Sequence, residues 1–219
     1  MPRKYERLRY TVLVNRESGR WIMIDQFQKR LKKMQMRIAA WSGLVEEYRR
    51  DKKLRMIMIT LTYKRVEDYN QGDIRKYVKA LKRKYEKKII AWAWVAEIQE
   101  RGAVHYHMLL VIPKGTHFEY PDKSGMWKHG DSSVITAKTP YYLVKYTGKK
   151  YQKDLSKYPR GCRLYATSIR FGGEREKNLY RRLSGISEES NKKENGYVYV
   201  GSCVTEKYGK VILSQGNLE

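Results

Sequence analysis

The stretch Ile89–Ile112 reads IIAWAWVAEIQERGAVHYHMLLVI, and its interpretation decides the fold. Two apolar, strand-forming runs flank Glu100, Arg101 and Gly102. A three-residue connection with glycine at its left-handed position predicts an antiparallel hairpin over Ile89–Gln99 and Ala103–Ile112. The second run contains two of the four histidines in a chain of 219 residues, one residue apart. Alternate side chains of a strand share a face, so His105, His107, Leu109 and Val111 project one way and Tyr106, Met108 and Leu110 the other. If Gln99 pairs with Ala103, Glu97 falls opposite His105 on the imidazole face. The hairpin then presents two nitrogens and a carboxylate, with the imidazoles about 7 Å apart at their Cα atoms. A bulge in the turn would shift the register by one and bring Gln99 or Glu100 into competition for the third place. A set of this kind suits Mg²⁺ or Mn²⁺ and leaves coordination positions for phosphate oxygens.

Working outward, Arg55 to Tyr63 (RMIMITLTY) is a β run, and Asp73 begins a helix, DIRKYVKALKRKYEKK, with a basic outer face. Upstream, Arg7 to Val14 alternates as a first strand. Asp25 is placed to cap a long helix reaching about Arg50, with Phe27, Leu31, Met34, Ile38, Trp41 and Val45 as its core stripe. Pro113 to Lys138 reads as a mobile surface loop. Thr139-Pro140 then opens a helix, YYLVKYTGKKYQK. A strand over Arg163 to Phe171, a helix from about Glu174 to Ser184, a polar linker and a hairpin near Tyr197 to Leu213 follow. Strands interleaved with helices predict an α+β fold in which helices cover one face of an antiparallel sheet and leave the other partly open. The expected organisation is an N-terminal strand and helix (1–53), a core (54–185) and a linker with a terminal hairpin (186–219), within one compact domain.

Composition narrows the partners. There are 47 Lys and Arg against 23 Asp and Glu, a net charge of +24, together with 19 tyrosines and 5 tryptophans. Cations among aromatics suit single-stranded nucleic acid, because phosphates pair while bases stack. Two lone cysteines, Cys162 and Cys203, fit a reducing cytoplasm. No apolar run nears the roughly 18 residues of a membrane span, and the basic N-terminus lacks the apolar segment of a signal peptide.

In the helix after Thr139, Tyr142 and Tyr146 lie four apart, and Lys145 and Lys149 each follow a tyrosine by three. A neighbouring ammonium favours phenolate, and a divalent ion makes a phosphate more electrophilic. These are the parts for attack by tyrosine on a phosphodiester, giving a covalent ester.

The ordered segments MITLTY (58–63), AEIQERGAVHYHMLL (96–110) and YYLVKYTGKKY (141–151) resemble the three motifs of HUH endonucleases. They are most similar to rolling-circle replication initiators of single-stranded DNA phages and plasmids. The resemblance spans roughly residues 54 to 171. It implies a central antiparallel sheet with helices, related to ferredoxin-like and RRM-type sandwiches. It implies His105, His107 and Glu97 as ligands of Mg²⁺ or Mn²⁺, and a tyrosine that cuts one strand of single-stranded or melted origin DNA and keeps the 5′ phosphate. Tyr142 and Tyr146 fit the two-tyrosine pattern with Lys145 and Lys149 beside them. Which acts first stays open, with Tyr142 favoured. Thr60, Thr62 and Arg101 are candidate DNA contacts, whereas His117 and His129 are expected to have no catalytic part. With no G-x-x-x-x-G-K-[ST] motif, a host helicase and a host polymerase are expected partners, in the cytoplasm of a prokaryote whose phage or plasmid encodes the protein. The alternatives are an HUH-type transposase, a non-catalytic single-stranded nucleic-acid-binding protein, and a hydrolase that uses water. The oligomeric state is not legible.

Overall fold

The computed structural model describes residues 7–50, 52–147, 157–168, 197–206 and 211–215. The chain divides into two units, Met1–Lys33 with Ser184–Glu219, and Met34–Leu183. In chain order the elements are β1 (Arg7–Asn15), β2 (Trp21–Asp25), α1 (Gln26–Arg49), β3 (Leu54–Thr62), α2 (Asp73–Tyr85), β4 (Ala91–Ile98), β5 (Val104–Pro113), β6 (Ser132–Ala137), β7 (Tyr165–Thr167), β8 (Tyr197–Glu206) and β9 (Val211–Gln215). Among the described residues there are also two 3₁₀ helices, Glu86–Lys88 and Pro140–Thr147.

The first unit is a four-stranded antiparallel sheet in the order β2-β1-β8-β9. The β1–β2 turn is held by the Asn15 side chain, whose Oδ1 accepts from Ser18 N at 2.8 Å and Glu17 N at 3.1 Å. β2 was not expected from the sequence. The C-terminal hairpin was expected, but its pairing with β1 was not, because that pairing joins opposite ends of the chain.

The second unit carries the α+β fold: a five-stranded antiparallel sheet, β6-β3-β5-β4-β7, flanked by helices. The sheet face expected to be partly open is so at the end that holds Thr60, Thr62 and His105, which are half-buried. On the imidazole face Met56, Met58, Val95, Leu109 and Val111 are buried, and on the other Ile57, Ile59, Leu61, Met108 and Leu110 are equally so. Near-continuous apolar runs such as MIMI and MLLVI are what burial on both faces demands. The second face packs through aromatic edges. Tyr106 meets Trp94 at 5.4 Å, Tyr63 meets Trp127 at 5.1 Å, and Trp127 meets Tyr77 of α2 at 6.1 Å between ring centroids. Much of the aromatic content therefore builds core rather than a surface for bases. Burial pushes the phenols of Tyr63, Tyr77 and Tyr106 upward, so they stay neutral.

The segment expected to be a mobile loop, Pro113 to Lys138, is corrected. It contains β6, which pairs with β3 from Met56↔Ala137 to Leu61↔Ser132. Ahead of β6, Trp127 is 1 % exposed and donates its indole N–H to Thr62 O at 3.0 Å. Lys64 N donates to His129 O and Thr62 N to Asp131 O. Gly130 sits between them at φ +154, where an added Cβ would lie 2.4 Å from Thr62 O and 2.6 Å from Lys64 N. Both atoms are backbone and cannot step aside. Gly130→Ala is expected to destabilise the second unit by about 3 kcal/mol, measured by denaturant unfolding. A loss under about 0.5 kcal/mol would show that this loop is not pinned as described.

The helix predicted over Glu174 to Ser184, and residues 169–171 of the strand predicted at Arg163 to Phe171, lie outside the described residues. No described helix is long and apolar enough to cross a membrane.

Candidate functional site

The β4–β5 turn fixes the site. Gly102 at φ +88 closes it, Gly102 N donates to Gln99 O at 2.8 Å, and Gln99 N donates to Ala103 O at 2.9 Å. No bulge shifts the ladder, so Glu97 pairs with His105 as the turn length predicts. On the other side β3 places Thr60 opposite His107 and Thr62 opposite His105. Five polar side chains thus share one patch beside the apolar runs of β3, β4 and β5.

His107 is the hub. Its Nε2 lies 2.6 Å from Glu97 Oε2, and its Nδ1 lies 3.2 Å from Thr60 Oγ1. Both partners of the short contact are buried, Glu97 at 8 % and His107 at 6 % exposure. In the tautomer with hydrogen on Nε2, the ring donates to Glu97 and Thr60 donates to Nδ1. If a cation replaces the proton, Thr60 can instead accept from Nδ1–H, because a hydroxyl serves either tautomer. The His105 ring stands 6.0 Å from that of His107, centroid to centroid. Among the described residues no three His, Cys, Asp or Glu side chains are gathered as around an ion. The donor chemistry nonetheless fits a divalent cation: two donors already converge, and Thr60 holds the second nitrogen of one of them.

The tyrosines arrive on Pro140–Thr147, which is 3₁₀ in form where an α-helix was expected, and residues 148–153 of the expected helix lie outside the described residues. Tyr142 N donates to Thr139 O, and Tyr141 N to Thr139 Oγ1, both at 3.3 Å. At three residues per turn, positions four apart are offset around the axis instead of aligned. Tyr142 and Tyr146 are still neighbours, with rings 6.3 Å apart. Tyr146 stacks on His107, centroid to centroid 3.7 Å and 17° between planes. Stacking covers the ring face and leaves the edge nitrogens to Glu97 and Thr60. Lys145 Nζ lies 3.6 Å from the Tyr142 ring centroid and 5.1 Å from that of Tyr146. A hydrogen bond with the Tyr142 hydroxyl, and attraction to both phenols, holds this ammonium above the ordinary lysine range. Lys149 lies outside the described residues.

Other candidates have different surroundings. The Arg101 guanidinium is turned onto the protein, at 2.8 Å from Lys64 O and 2.8 Å from Gln99 Oε1, and ties the hairpin turn to the end of β3. His129 Nε2 lies 3.3 Å from Oδ2 of buried Asp73, which also accepts from Tyr63 OH. That group is on the face of the sheet away from His107.

Two residues of α1 went unnoticed in the sequence. Ser42 Oγ donates to Pro140 O at 3.0 Å and Gln35 Nε2 to Thr147 O at 3.1 Å. The helix therefore holds the tyrosine segment at its first and last residues. Ser42 is fully buried beside Trp41 in the apolar stripe, and a buried hydroxyl in such a place signals a partner. Nothing in the sequence indicated which one.

Residues 56–154 match the profile of the family Replication-associated protein ORF2/G2P. The matched span holds the histidine hairpin and both tyrosines, and the similarity supports a replication-related role. No curated protein and no solved structure matches the chain.

Proposed function

We propose that the protein nicks and rejoins single-stranded or melted origin DNA through a tyrosine, and so initiates and terminates rolling-circle replication, as HUH endonucleases do. The observation that carries this reading is the Tyr146 ring lying on His107, with Glu97 at the histidine's edge. In the forward step the Tyr146 phenol oxygen attacks the scissile phosphorus and the bond from phosphorus to the 3′ oxygen breaks. The phenol gives up its proton, the 3′ oxygen gains one in balance and becomes the primer hydroxyl, and the 5′ phosphate remains as a tyrosine ester. Lys145, touching both phenols, stabilises negative charge on the attacking oxygen. Glu97, His107 and His105 would hold Mg²⁺ or Mn²⁺, which when bound withdraws charge from the phosphate oxygens. Tyr142, one ring further out, is available for the second transfer that closes the displaced strand. A prokaryotic cell would supply helicase and polymerase to a phage- or plasmid-borne protein of this kind.

The test is incubation with end-labelled, origin-like single-stranded DNA and Mn²⁺, followed by a denaturing gel. A covalent adduct that is lost with EDTA is the expected result. Cleavage with no adduct would assign the attack to water, and binding with no cleavage would leave a binding module.

The hold exerted by α1 makes a separate prediction. Removing both hydrogen bonds, in Gln35→Ala/Ser42→Ala, frees the tyrosine segment to shift, and misplacement by an ångström costs about a hundredfold in rate. Adduct formation at saturating DNA is expected to slow by about tenfold or more while DNA affinity holds. Loss of affinity and rate in equal measure would contradict a positioning role, and Ser42→Thr should restore most of the rate.

A further inference from the structure

The cationic surplus is not spread evenly. From Arg75 to Lys88, eight of fourteen residues are Lys or Arg and Glu86 is the one acid. Arg75, Lys79, Lys82, Arg83, Lys87 and Lys88 are exposed. None of these six is ion-paired to a described residue, unlike their neighbours Lys76, 3.4 Å from Asp73, and Lys84, 2.8 Å from Glu119. Arg75, Lys79 and Arg83 follow one another at four-residue steps, so they form one ridge about 12 Å long. DNA carries a charge every 3.4 Å on each strand, so the ridge alone spans three or four phosphates. Tyr77 and Tyr85, the aromatic residues of α2, are both buried. The outer face of α2 therefore offers charge with no exposed ring of its own on which a base can stack, as single strands favour, and half-buried Trp92 beside it is covered by Lys82 Nζ at 5.1 Å from its ring centroid. Near the tyrosine site the balance differs, since Tyr141 is 48 % exposed. α2 also packs on the Tyr106 face of the sheet through Tyr77 and Trp127, across the sheet from His107.

We propose that the outer face of α2 is a second DNA-binding surface, which grips the phosphate backbone of duplex DNA while the His107 face works on a single strand. A substrate reaching both faces passes around the edge of the sheet, with its paired arm on α2. This surface rests on the reading above only for the identity of its ligand, and its test needs no chemistry.

Binding of a 20-base-pair duplex without a cleavage site is measured against salt concentration for the full chain and for Arg75→Gln/Lys79→Gln/Arg83→Gln/Lys87→Gln. Glutamine keeps helix propensity, so the fold is retained. The variant is expected to bind about tenfold or more weakly at 0.15 M salt, with a log–log salt slope shallower by about 3. A control, Lys53→Gln/Lys114→Gln/Lys123→Gln/Lys128→Gln, removes the same charge elsewhere and should stay within about threefold of the parent. Affinity for a single-stranded decamer, and any adduct formed on it, should be nearly unchanged in the α2 variant. Unchanged duplex affinity and slope, an equal loss in the control, or an equal loss on the decamer would each overturn the proposal. Absence of adduct in the parent protein would sink the nicking reading alone, since duplex binding is read independently.

Discussion

Tyr146→Phe is expected to abolish the covalent adduct, lowering its rate of formation by about a thousandfold or more, while single-strand affinity moves by less than about threefold. Phenylalanine retains the ring stacked at 3.7 Å on His107 and removes only the oxygen that would attack. The substitution thus separates chemistry from packing. Tyr142→Phe, by contrast, should leave the first cleavage intact and impair transfer of a second strand. Its ring lies 6.3 Å from that of Tyr146, one step further from the histidine. A denaturing gel with one labelled oligonucleotide, and a second added as acceptor, reads both steps. Adduct lost in Tyr142→Phe and kept in Tyr146→Phe would exchange the two roles. Adduct kept in both variants and in the double variant would falsify tyrosine attack altogether.

Divalent cation should stabilise the parent protein, and Glu97→Gln should remove that stabilisation. At a hundredfold excess over Kd, Mn²⁺ adds about 2.7 kcal/mol to the state that binds it. For a unit of this size that is a rise of about 5–10 °C in Tm. Glutamine preserves the shape of Glu97 and can still hydrogen-bond His107, 2.6 Å away in the parent, but it carries no charge to hold the ion. The expected outcome is a Mn²⁺-dependent shift in the parent, little or none in the variant, and adduct formation slower by about a hundredfold. Differential scanning fluorimetry gives the first readout whether or not any DNA is cut. An equal shift in parent and variant would exclude Glu97 as a ligand. Adduct formation by the parent in EDTA would remove the metal from the proposal.

The parts of this site that were legible in the sequence are those set by short-range geometry. A three-residue turn with glycine at its end leaves little choice of register, so Glu97 opposite His105 could be deduced by counting. Thr60 beside His107 could not, because β3 and β5 are separated by more than forty residues and only the folded sheet sets their pairing. The same holds for Gln35 and Ser42, whose carbonyl partners lie about a hundred residues on. Other features were present in the sequence and misread. Unbroken apolar runs in β3 and β5 already called for cover on both faces. SSVITA in β6 is short and half exposed at the sheet edge, so polar flanks hid it. The described part of the tyrosine segment is 3₁₀ in form, and α1 takes carbonyls from Pro140 and Thr147 within it. Propensity alone carries no information about those two bonds.

The antiparallel ladder that joins Arg7 to Glu206 and Asn15 to Tyr197 has a consequence for the newborn chain. β1 leaves the ribosome about 180 residues ahead of its longest partner, β8. At about 5–20 residues per second, β1 waits on the order of ten seconds or more, with only β2 beside it and one edge unpaired. The five-stranded unit, whose strands lie between residues 54 and 167, can close within that interval. The histidine hairpin can therefore fold before β8 arrives to pair with β1.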